Sequence, residues 1–178
     1  MYTPEYEDVV LGSLPFATLE STYFAHSEAP KEVRLSAKIS HTDGGVYPGK
    51  IFTGMIGQEG YFLCGQDVVH KLGSSSHQVT LLKKPPSDVI VTWRQGEPYS
   101  APCNAVIGGH LPDGTPHYII RVDVGSEYAI GYFDKREAVA RFEFYGPREW
   151  PHFEILTFEK GTNSTRFFKF IQMKVHLG

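Results

Sequence analysis

Lys50 closes the segment GGVYPGK (44–50), directly behind a proline that fixes its own φ and a glycine that lets the chain turn sharply. That pair is expected to hold the ammonium at a set angle, as a fixed donor to hydroxyl or carboxylate groups. A second polar cluster lies in NAVIGGHLPDGTPHYIIRVD (104–123), where His110, Asp113 and His117 surround a Pro-Asp-Gly turn and Cys103 precedes it. Cys103 and His110 are a nucleophile and a base in type, but no orienting carboxylate or helix N-terminus accompanies them. His110, Asp113 and His117 are zinc-ligand types without a fourth ligand or an i,i+4 spacing. GGHLPDG lacks the Lys-Ser/Thr ending and following helix of a phosphate loop. Glu20 and Glu28 carry no signature of paired-carboxylate glycoside hydrolysis. The sequence therefore predicts a non-enzymatic protein with no catalytic residue, metal or cofactor, and Asp113 is read first as a turn former.

The chain of 178 residues suits one domain or two closely packed halves. It is 41% hydrophobic and 21% charged, so a core can form without staples, and a net charge of −3 argues against a nucleic-acid partner. The longest basic run is Lys83-Lys84, and no stretch approaches the length of a membrane helix, so membrane insertion is not expected. Cys64 and Cys103 show no CxxC spacing and read as free thiols rather than a bridge. The acidic start MYTPEYEDVV does not resemble a secretory leader, giving a cytoplasmic or unconventionally secreted protein as the expectation. The triplet NST at Asn163 reads as a polar turn on that basis.

The elements that must position these residues are strands. Aromatic residues make up 13% of the chain, and 18 Gly and 12 Pro punctuate it, a mixture that favours short strands and tight turns. Period-two alternation marks EVRLSAKIS, HQVTLLKK, DVIVTW, PHYIIRVDV, ARFEFYG and HFEILTFEK, with a closing strand expected in STRFFKFIQMKVHLG. In RFEFYGPREW the alternation puts Phe142 and Phe144 on a core face and Arg141, Glu143 and Tyr145 on the other, with Trp150 exposed or at a subunit contact. FDKREAVARF is the one helix candidate, of one or two turns. The pair Pro85-Pro86 marks an internal boundary, because neither residue can donate to a ladder.

The segments on either side of that boundary share an order of features: a strand, a Gly turn, an aromatic strand ending in Gly, a polar loop and a closing strand with Lys. This is the mark of a degenerate tandem repeat. The second copy, with Ala105, Val106, Gly108, Gly109, Asp113, Gly114, Pro116, Tyr118 and Arg121, then Glu127, Gly131, Tyr145, Gly146, Arg148, Glu149, Glu154 and Leu156, resembles the DM-nine repeat, and Trp93 sits where such a repeat often begins. The first copy carries the family's P-G-K in GGVYPGK. The resemblance implies an all-β fold in which two tandem, pseudo-symmetric repeats form one antiparallel domain. It sets the first repeat at 9–84, a linker at 85–92, the second repeat at 93–160 and an extra strand at 161–178.

The resemblance further implies a carbohydrate-binding, mannose-type lectin of innate pattern recognition, acting as a homodimer on a glycan or microbial surface carbohydrate. Its sugar contacts are the Lys of P-G-K, the acid just before it, and an Asp in the loop after G-G. Carried across, Lys50 keeps the first Lys, Gly45 stands at the acid's place with Asp43 nearby, and Glu28 is near the loop position. In the second repeat Glu127 keeps the acid, Tyr132 replaces the Lys, Ile130 the Pro, and Leu111 the loop Asp, with Asp113 two residues on. The expected sites are thus Lys50 with Asp43 or Glu28, and a degenerate one of Glu127 with Asp113 beside Tyr132. The alternative is a structural or protein-interaction module whose sugar site has decayed, as the Leu111, Gly45 and Tyr132 departures suggest.

Overall fold

A computed structural model of the chain describes residues 2–8, 24–25, 34–52, 59–72 and 78–161. Glu28, Asn163 and the expected C-terminal strand lie outside the described residues. Thirteen strands form a single antiparallel sheet, and no helix occurs among the described residues. They are β1 (Tyr6–Asp8), β2 (Arg34–Ser40), β3 (Val46–Phe52), β4 (Glu59–Cys64), β5 (Asp67–Lys71), β6 (Val79–Leu82), β7 (Val89–Gln95), β8 (Ile107–His110), β9 (Pro116–Asp123), β10 (Tyr128–Phe133), β11 (Ala140–Glu143), β12 (Pro147–Trp150) and β13 (Glu154–Lys160). The all-β expectation stands.

Two runs of strands carry the pairing. One is β1-β6-β2-β3-β4-β5; the other is β7-β13-β9-β10-β11-β12. They join where Val46 at the start of β3 pairs with His110 of β8, which itself pairs with β9. The packing also crosses between the runs: Tyr132 of β10 is buried with Leu35, Ile51 and Phe62 of the first, while Tyr2, Tyr6 and Leu82 pack with Leu156 and Phe158 of the second. A sheet with such a shared core folds as one body, since neither face is covered without the other half.

Three local expectations fail for identifiable reasons. The helix candidate is a turn joining β10 to β11, because Asp134 accepts from the Arg136 N–H and guanidinium and closes the chain back on itself. This side-chain turn competes with the helical ladder that Ala, Glu and Arg would otherwise favour. The stretch 85–92 is not all linker: Val89 begins β7, which pairs along its whole length with β13. Pro48-Gly49 is no turn either. Both lie inside β3, opposite Lys38 and Ala37, and a side chain at Gly49 would strike the Tyr61 carbonyl and the Phe62 ring. Glycine is there so that β4 can approach closely.

Candidate functional site

Lys50 projects from β3 into a cleft of about 350 Å³ between the two strand runs, lined by Tyr61, His70, Glu127, Glu143 and Tyr145 among others. The strand places it: in β3 the residue after Gly49 pairs with Tyr61 of β4, and the Lys50 ammonium lies 5.5 Å from the centre of the Tyr61 ring. Lys50 is 3% exposed. Its Nζ donates to Glu127 Oε2 at 3.2 Å and to the Tyr128 carbonyl at 2.9 Å. Both acceptors sit where the turn between β9 and β10 ends, a turn closed by Asp123 Oδ1 accepting the Gly125 N–H at 2.8 Å. A buried ammonium requires such partners, because an uncompensated charge in the interior is strongly disfavoured.

The Tyr128 carbonyl is itself held in place. Arg121 lies over the Tyr128 ring at 4.1 Å and over the Trp93 ring at 4.7 Å, while its Nε donates to Glu154 Oε2 at 2.7 Å. Arg121 therefore ties β9, the start of β10, β7 and β13 together. On the far wall, the nearly buried Glu143 carboxylate pairs with His70 Nε2 at 3.2 Å and accepts the Gly146 N–H at 3.3 Å. The ring of His70 meets the Tyr61 ring edge-on at 4.9 Å.

The predicted residues are regrouped by this geometry. Lys50 meets Glu127, the acid of the opposite half, and not Asp43. Asp43, Asp113 and Tyr132 line a separate cleft of about 400 Å³ with Tyr47, Leu111, Glu137 and Arg141. So Asp113 does not join Glu127. In that second cleft the register sets Tyr132 of β10 opposite Arg141 of β11, and in the first it sets Lys50 of β3 opposite Tyr61 of β4.

Asp43 and Asp113 both serve turns. Asp43 Oδ1 accepts the Gly45 N–H at 2.7 Å and Oδ2 the Tyr47 hydroxyl at 2.7 Å. Burial would raise the Asp43 carboxyl, but the bonds from Tyr47 and Gly45 outweigh it and hold it below the usual carboxylate range. Asp113 Oδ1 accepts the Thr115 N–H at 2.9 Å, and Arg136 donates to Oδ2 at 3.1 Å; these bonds lower its pKa to about 2. Beneath the second cleft His117 is fully buried, stacked on Tyr47 at 5.7 Å and tilted against Tyr132 at 4.7 Å. Its ring nitrogens make no well-formed hydrogen bond, and burial lowers its pKa to about 4 against the weaker support of the Val46 backbone.

Sequence reasoning missed Tyr61, His70 and Arg121 as supports of the Lys50 cleft. Nothing local signals Tyr61 or His70, since the β3–β4–β5 pairing alone brings them there. The alternation that put Glu143 and Tyr145 together on the face away from the core ends at Glu143: β11 stops there, Glu143 is buried, and Tyr145 stands in the turn that follows, exposed. Among the described residues no three His, Cys, Asp or Glu side chains group as metal ligands, and Cys64 and Cys103 are both free thiols. Cys64 is buried, which pushes its pKa up to about 12. No helix of the described residues is long and apolar enough to cross a membrane.

No family model and no curated protein matches the chain. Among solved structures, that of the nematode sperm cell motility protein MFP2B is similar, with a TM-score of 0.62 and 16% identity over 91% of this chain and 48% of that one. The chain thus spans about half the length of MFP2B, and at this identity the likeness shows a shared β fold and no more.

Proposed function

We propose that the chain is a divergent tandem DM-nine protein whose Lys50–Glu127 cleft binds a neutral carbohydrate. The observation that carries this is the pairing of Lys50 with Glu127 at 3.2 Å inside a cleft walled by Tyr61 and Tyr145. The ligand's charge follows from the lining. One ammonium is set against two carboxylates, Glu127 and Glu143, so the cleft offers no surplus positive charge to a phosphate. It does offer donors and acceptors side by side, with charge-assisted strength, to adjacent hydroxyls. About 350 Å³ is at the small end of ligand pockets and suits one or two sugar rings. The identical neighbour order in β1-β6-β2-β3-β4-β5 and β7-β13-β9-β10-β11-β12 supports the repeat reading. So does the meeting of the P-G-K lysine of one half with the acid of the other.

A glycan array with the purified chain, followed by elution from mannose resin with free sugar, tests the proposal. Binding that is lost in Lys50→Ala supports it, and absence of any glycan binding refutes it. The second reading is a protein-interaction module, favoured by one observation: Ile90 and Val91 stand exposed on β7, which among the described residues pairs with β13 alone. That reading predicts no glycan binding and a partner lost on Ile90→Lys.

A further inference from the structure

We infer that Tyr145 is the stacking platform that makes the Lys50 cleft selective for ring sugars over open-chain polyols, an inference that rests on the carbohydrate reading of that cleft. Tyr145 lines the cleft, is 85% exposed, and adopts φ +51°, followed by Gly146 at φ +107°. A left-handed backbone is unfavourable for a bulky aromatic, and the same turn would accept Asn or Gly more readily. Its ring contact is an edge-on packing against Phe144 at 4.8 Å. Folding therefore gains little from a tyrosine at this point, and strain of this kind gathers at ligand clamps.

The turn is also fixed in place. Arg148 donates from Nε to the Phe144 carbonyl at 3.0 Å and from its guanidinium to the Tyr145 carbonyl at 3.3 Å. The Phe144 N–H reaches the Gly146 carbonyl at 3.0 Å, and the Gly146 N–H is taken by Glu143, itself anchored by His70. An aromatic ring is thus presented at a set position over a polar floor. A pyranose matches that pair of surfaces: its hydroxyl edge suits Lys50 and Glu127, and its face of axial C–H groups suits an aromatic plane. An acyclic polyol has the hydroxyls without the face. Because the turn is ordered before binding, no backbone entropy need be lost when the ring is engaged.

The experiment is calorimetric titration of the full chain with methyl α-D-mannopyranoside, methyl β-D-glucopyranoside and D-mannitol. Wild type, Tyr145→Ala, Tyr145→Phe and Lys50→Ala are compared, each checked for folding by thermal melting. Tyr145→Ala is expected to lose about tenfold in affinity for whichever pyranoside the wild type binds, to bind mannitol as wild type does, and to melt no lower. Tyr145→Phe is expected to stay within about threefold, since the ring is kept. Unchanged pyranoside affinity in Tyr145→Ala, with affinity lost in Lys50→Ala, overturns the platform and leaves the cleft reading intact. Wild type that binds neither pyranoside and no glycan of the array overturns both; a glycan found on the array instead takes the pyranosides' place in the titration.

Discussion

Lys50 is the residue on which folding and the proposed binding meet, because its ammonium is buried and satisfied by groups of the other half. Glu127→Ala should cost about 1–3 kcal/mol, less than a fully buried pair because the carboxylate is one-third exposed, and urea denaturation would measure it. Glu127→Gln, which keeps an acceptor, should cost less. His117 supplies a pH dependence of known sign. Its folded pKa of about 4 lies below the unfolded value near 6.5, so the unfolded chain takes up a proton that the native chain refuses. The stability this imidazole contributes is full above pH 6.5 and falls by up to about 3 kcal/mol as the pH drops through 4. His117→Phe, which keeps the stack between Tyr47 and Tyr132, should flatten that acid limb in melts from pH 7 to 4. Tyr145→Gly should raise stability by about 0.5–1 kcal/mol through relief of its left-handed backbone. Lys50 and Glu127 were each singled out in the sequence by the resemblance to a DM-nine repeat. Their partnership was not, since it depends on which strand faces which across the two halves.

At the scale of elements, β3 shows why the pattern P-G-K is easily misjudged. Proline and glycine together read as a turn, yet here both serve a central strand crowded on every side. Pro48 tolerates a missing N–H, and it fills the space beside Gly108. Gly49→Ala should therefore destabilise by about 2–4 kcal/mol, through collision with the Tyr61 carbonyl, and should shift Lys50 within its cleft. Gly114→Ala, at φ +84° with open space around it, should cost about 1 kcal/mol through backbone strain alone. Paired melting curves separate these two mechanisms. The strands β2, β7, β9 and β13 were readable in the sequence from runs of alternating apolar and β-branched residues, although burial does not follow that alternation: β13 is buried on both faces, and Ile90 and Val91 of β7 are both exposed. The supposed helix in FDKREAVARF (133–142) misled, because residues with helical propensity were recruited into a turn by Asp134 and Arg136, a contact that no propensity scale weighs.

For the whole molecule, the division at Pro85-Pro86 is one of sequence and not of folding. The cores of the halves exchange residues, with Tyr132 buried among first-half side chains and Leu82 among second-half ones. Fragments 1–86 and 87–178 expressed apart should each give collapsed NMR spectra, and mixing them should restore dispersed signals. Independent folding of either fragment would count against this picture. The cleft that joins Lys50 of one half to Glu127 of the other has a thermodynamic consequence. A ligand that touches both sides binds only the docked arrangement, so it acts as a clamp on the halves' association. At a hundred times its dissociation constant it would add about 2.7 kcal/mol to their docking. Under the proposed carbohydrate reading, binding and structural integrity then become one coupled equilibrium, and loosening either half anywhere in its core would be felt as weaker binding at the cleft.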